Sequence, residues 1–184
     1  SFLCPYSPYP YNGLMPSQTR QQLIEQLRDS QRQVVDALTA TESIQDWQRE
    51  PAEWSFRTLA AHLAAVESQC HLRRLQRIAQ GDSPYLNGFN TSFVDLQNGE
   101  MMESLREWIA TRQTLMTYVE NLDEEQLQYV GYHEQIGSMT VLDALQDMLD
   151  QDRGNFRHVC QLIVDYYEDH PVAYLLTYTS IPEG

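Results

Sequence analysis

The chain has five histidines: His62, His71, His133, His158 and His170. His62 lies among Leu59, Leu63 and Val66, on the apolar side of a helical pattern. An imidazole aimed into a helix core needs partners for its ring nitrogens. It is either a hydrogen-bonded core residue or a ligand. His158 lies on a second helical segment, beside Phe156 and Val159. Gly154 is one turn upstream of it, with Asp150 and Gln151 beyond. Sites in helix bundles are built from inward side chains on facing helices, so His62 and His158 could supply part of a divalent metal site. The competing reading makes Asp147, Gln151, Asn155, His158 and Gln161 a solvated face. Glu67, five residues after His62, either bonds to another helix or serves at the surface or as a cap.

Other chemistry is restricted by composition. All 12 basic residues are arginine. Without lysine there is no Schiff base, no pyridoxal phosphate attachment and no P-loop lysine. No G-x-G-x-x-G occurs. Cys4, Cys70 and Cys160 form no C-x-x-C and read as free thiols of a reducing compartment, the cytoplasm. Cys70 and Cys160 fall on apolar faces, where inert buried thiols are expected. Arg73, Arg74 and Arg77 form a local basic patch, suited to an acidic cofactor or simply to solvent. Asp plus Glu number 26, giving a net charge of −14. That field disfavours nucleic acid and anionic membranes as partners. No run approaches the roughly 18 apolar residues of a spanning helix, and the N-terminus lacks a signal-peptide pattern.

Long helices must position these residues. The 184 residues suit one domain. Residues 1–16 are rich in Pro and Tyr and read as an extended arm. Ser17 can cap a helix running to about Thr41, with Leu23, Ile24, Leu27, Val34 and Leu38 inward. Pro51 blocks continuation. Ser55 caps a second helix, with Phe56, Leu59, Leu63, Val66 and Cys70 on one face and Gly81 closing it. Residues 81–97 read as a long loop, which permits a parallel or crossover neighbour. A third helix fits about 99–121, with Met102, Leu105, Trp108, Ile109, Leu115 and Val119 inward. Residues 123–130 suit a short helical piece and 131–138 a turn-like break. The fourth helix runs from about Thr140 to Tyr167, with Leu142, Leu145, Leu149, Phe156, Cys160 and Ile163 on one face. No segment shows sustained period-two alternation. The expectation is an all-α four-helix bundle over residues 17–170, with an apolar tail over 171–184.

Two motifs resemble a known family. Trp54, Ser55, Leu59, His62, Leu63 and Glu67 resemble the first motif of the DinB/YfiT-like superfamily. Gly137-Ser138-Met139-Thr140-Val141 and His158-x-x-Gln161-Leu162 resemble the two ends of its last-helix motif. The resemblance covers about residues 17–165. It implies a four-helix bundle, often a homodimer, holding a divalent metal such as zinc, nickel or manganese. It also implies metal-dependent transferase or hydrolase chemistry, including S-transfer with a low-molecular-weight thiol. In the family three side chains hold the metal. His62 matches the first and His158 the third.

The position of the remaining ligand is Gly154, which offers no side-chain donor. Asp150 is about 12 Å from His158 along the helix axis and cannot replace it. Gln151 and Asn155 face nearer the gap, but amides are poor ligands for such metals. Glu67 would support the site without binding the ion. His133 is an outside candidate for the vacant place. Three readings follow: a pocket kept for a small-molecule ligand without metal, a weak site of His62, His158 and waters, or a non-catalytic binding or dimerisation module.

Overall fold

The structure, a computed structural model, describes residues 18–86, 99–135 and 137–171. The proposed arm, most of the proposed tail, Ser17 and most of the long loop lie outside these residues. Four helical limbs dominate. They are α1 (Arg20–Thr39), α2 (Phe56–Val66) continued by α3 (Leu72–Ala79), α4 (Met101–Glu120) and α5 (Val141–Asp169). Thr19 caps α1 with a capping box closed by Gln22. Ser55 caps α2 as its sequence predicts. Thr140 starts α5 with a second capping box, through Asp143. None of these helices is long and apolar enough to cross a membrane.

Two hydrophobic clusters fill the bundle. The first joins Leu23 and Leu27 of α1, Leu75 and Ile78 of α3, Leu115 and Val119 of α4, and Leu145 and Leu149 of α5. The second joins Val34 and Leu38, Phe56 and Leu59, Leu105 and Trp108, and Val159 and Leu162. Residue numbers therefore rise together along α1 and α5, which run parallel and pack side by side. The limb α2–α3 descends beside α4, also in parallel. The end of α3 and the start of α4 therefore lie at opposite ends of the bundle.

The region expected to be a turn at 131–138 is instead a hairpin. Strands β2 (Val130–His133) and β3 (Gly137–Thr140) pair antiparallel. β1 (Tyr85–Leu86) adds to β2 in parallel. The short helical piece expected over 123–130 shrinks to a 3-10 turn at Gln126–Gln128. Strands of two to four residues are too short to print an alternating pattern, so periodicity misses them. Gly131 is required by close approach, because a Cβ there would meet Ile78 Cγ1 at 3.0 Å. Gly137 has φ +87°, a left-handed conformation natural to glycine. The sheet places Leu86 and Met139 in the first cluster and so closes one end of the bundle.

Between the two clusters the interior is polar. Ser30 and Gln31 of α1, Glu67 and His71 after α2, Arg112 of α4 and Asp152 of α5 are all buried. Each interrupts an apolar stripe near the middle of its limb.

Candidate functional site

The polar waist opens from the turn between α2 and α3. Residues Glu67–His71 form a π-helical turn, with the Leu72 N–H reaching Glu67 O. Such a turn holds one extra residue. From Cys70 onward the expected face therefore slips by one. Beyond Ala65 the buried positions of this limb are Glu67, His71, Arg74, Leu75, Ile78 and Ala79, while Val66 and Cys70 are only half-buried. Neither Cys70 nor Cys160 is fully buried, contrary to expectation. Arg74 leaves the expected basic patch and turns inward, pairing with Asp147 at 3.5 Å. The inward faces of the other limbs also differ in detail. Ile109 is exposed, while Met101 and Met116 are buried. On α5, Val159 and Leu162 are buried, whereas Phe156, Cys160 and Ile163 are half-buried.

A cavity of about 340 Å³ occupies the waist, within the usual range for small-molecule sites. His62, Glu67, Gln151, Gly154, Asn155 and His158 all line it. The structure thus brings the two motif histidines, Glu67 and the residues around Gly154 to one cavity. His133 is elsewhere: it is buried in β2, where its Nδ1 accepts from Gln135 N–H at 3.2 Å. His170 lies at the end of α5, stacked on Tyr166. The cavity wall also includes Trp108, which periodicity placed inward, and three residues that periodicity passed over: His71, Arg112 and Asp152. Their signal is readable in retrospect, because Arg112 and Asp152 are charged residues at apolar-stripe positions.

Arg112 holds the wall together. It is 2% exposed and lies between two buried carboxylates. Its Nε donates to Glu67 Oε1, and its Nη2 donates to Glu67 Oε2 at 2.9 Å and to Asp152 Oδ1 at 3.2 Å. Its Nη1 donates to Asp152 Oδ2 at 2.8 Å and to Leu27 O at 3.4 Å. Trp108 Nε1 adds a bond to Glu67 Oε2 at 3.3 Å, and Ser30 Oγ one to Asp152 Oδ2 at 2.6 Å. Burial works against the guanidinium charge, but Asp152 and Glu67 outweigh it and hold the group firmly protonated. Glu67 is therefore an interhelical partner, neither a surface group nor a cap.

The imidazoles are held neutral. Burial pushes His62 down to about 4, and its ring packs 4.6 Å from that of Trp54. Burial, together with the positive charges of Arg74 and Arg112, pushes His71 down to about 3. His158, at the exposed side of the cavity, is lowered by partial burial, which Glu53 and Asp165 oppose.

The donors can be tested against a divalent ion. His62 and His158 share the cavity, but position 154 supplies nothing. Both carboxylates nearby are engaged by Arg112. Among the described residues, no group of three or more His, Cys, Asp or Glu is placed to hold a metal ion. This donor set does not fit a metal centre with three protein ligands.

Gly154 itself has no steric reason to be glycine. A Cβ there would find its nearest neighbour, Arg157 Nη2, at 3.9 Å. Gly154→Ala is expected to stabilise the fold by about 0.5–1 kcal/mol, read as a higher urea midpoint. A lower midpoint would show that the cavity wall depends on the missing side chain.

A family model described as the DinB superfamily matches residues 23–158. Among solved structures, the chain is similar to YfiT from Bacillus subtilis, described as a probable metal-dependent hydrolase with an unusual four-helix bundle topology. The two share 17% identity at a TM-score of 0.69, over 84% of this chain and 90% of that one. At this identity the likeness is one of fold. No curated protein matches the sequence.

Proposed function

Because the chain belongs to the DinB superfamily, we propose that it is a small-molecule-binding member of that family, one that keeps the central cavity without a three-ligand metal centre. The observation that carries this reading is the cavity itself. It is roomy, lined by polar groups from α2, α4 and α5, and walled by charges that are paired with one another. Building such a polar waist between two apolar clusters costs desolvation, and a binding site gives it a purpose. The alternative is a metal-dependent transferase or hydrolase, including thiol S-transfer. It is favoured by one observation, the presence of His62 and His158 in the same cavity.

Metal content separates the two. Protein exchanged with zinc, nickel or manganese and then desalted is expected to retain far less than one ion per chain by mass spectrometry. Gly154→His should raise retention toward one per chain, and adding His62→Ala should abolish the gain. Near-stoichiometric metal in the unmodified protein, lost in His62→Ala, would overturn the proposal and restore the enzyme reading.

A further inference from the structure

His71 has no role in any expected site, yet it is the most unusual group in the cavity. The π-helical turn swings it inward, and it is 5% exposed while lining the cavity wall. Among the described residues its imidazole makes no side-chain hydrogen bond. Its ring nitrogens are not sealed off, because they are not among the buried polar atoms that lack a partner, so the imidazole opens on the cavity and can bond a ligand there. Single π-helical turns often mark functional sites.

The remaining hydrogen-bonding capacity says what the ligand must carry. A guanidinium has five N–H donors, and all five of Arg112 are used on Glu67, Asp152 and Leu27 O. Arg112 therefore has nothing left to offer an anion. Arg74, which also acts on His71, is committed to Asp147. Arg157 comes near Gly154 but is exposed and does not line the cavity. The acceptors are not exhausted. Each carboxylate has about four lone-pair sites. Glu67 accepts twice from Arg112 and once from Trp108. Asp152 accepts twice from Arg112 and once from Ser30. One site remains on each. A neutral imidazole adds a third acceptor. The charge balance agrees, because two carboxylates face one guanidinium and leave one negative charge over. Leu63, Val66 and Trp108 supply an apolar wall.

We propose that His71 is a ligand-recognition residue and that the cavity takes a small organic cation, a primary ammonium on a short apolar body. The three N–H donors of an ammonium match His71 and the spare sites of Glu67 and Asp152. This rests on the cavity being a ligand site, as proposed above. It also makes an anionic low-molecular-weight thiol a poor occupant.

The test uses three probes of one shape: 2-phenylethylammonium, 2-phenylethanol and 3-phenylpropanoate. Binding is followed by calorimetry at pH 7 and by the indole N–H signal of Trp108, assigned with Trp108→Phe. The ammonium is expected to bind roughly tenfold to a hundredfold more tightly than the alcohol, as for a hydrogen bond to a charged group, with the carboxylate weakest. His71→Leu should weaken the ammonium about tenfold while the protein remains folded, and His71→Gln should recover part of the loss. If the probes bind but the carboxylate leads, or His71→Leu changes nothing, the cation assignment falls and the cavity reading stands. If no probe binds, both fall. Zinc that displaces the ammonium stoichiometrically would also overturn the assignment.

Discussion

Arg112→Leu is expected to cost about 3–5 kcal/mol of folding free energy, the range for breaking a buried ion pair. The loss would exceed that of any surface substitution in this chain. The reason is that two carboxylates stay behind. Glu67 and Asp152 are 1% and 4% exposed in their side chains, and without the guanidinium each is a buried charge with no counter-charge. A stability of order 5–15 kcal/mol is normal for a domain, so the variant should lie close to unfolding. The same physics predicts an inverted order among variants. Glu67→Met, Arg112→Leu and Asp152→Leu combined remove all three charges and should be more stable than Arg112→Leu alone. Urea denaturation of the two variants checks this. A cost under 1 kcal/mol for Arg112→Leu would mean that water enters the waist and screens the carboxylates.

Acid should weaken the fold well before its carboxylates are titrated. His71 is near 3 when folded and has an ordinary value of 6.5. Between these values the unfolded chain binds a proton that the folded chain refuses. Stability therefore falls as pH drops below about 6.5 and stops falling from this source below about 3. His62 acts in the same direction down to about 4. Each imidazole contributes at most about 1.4 kcal/mol per pH unit in its window, so the two together can remove several kcal/mol by pH 4. Asp147 opposes them, because burial raises its carboxyl and acid relieves that strain. The urea midpoint of the wild type should decline steadily from pH 6.5 to 4, and that of His71→Leu should decline less steeply. A flat wild-type profile would show that His71 accepts its proton without penalty and is hydrated in the folded state. The effect also bears on the cavity, since a protonated His71 would repel a cationic ligand.

The elements that carry the site were legible because their signals are local. Ser55 and Thr140 sit at the starts of α2 and α5 because their side chains reach backbone N–H groups three residues away. The stripes at Leu23, Leu27, Val34 and Leu38 and at Leu145 and Leu149 repeat at helical spacing. The motif around His62 and the end of α5 around His158 could be paired in sequence, and the fold sets both on one cavity. The strands were not legible. Val130–His133 and Gly137–Thr140 gain their bonds from each other and from Tyr85–Leu86, some 45 residues away, and no window of a few residues contains that pairing.

The polar waist marks the boundary between the two kinds of information. Arg112, Asp152 and His71 are visible in the sequence as polar residues on or beside apolar stripes, but alone each reads as a misfit. Four limbs must be packed before Arg112 meets Glu67 and Asp152 across 45 and 40 residues of chain. The π-helical turn then decides between Cys70 and His71 for the cavity wall, because one extra residue rotates everything after Glu67. By itself the sequence determined the helices, their caps, the family and the absence of a side-chain ligand at Gly154, since these depend on residue type and short spacing. Only the tertiary structure decided which charges are cancelled, which imidazole faces the cavity and where hydrogen-bonding capacity is left over. Those properties depend on groups that the chain brings together from distant positions and removes from water.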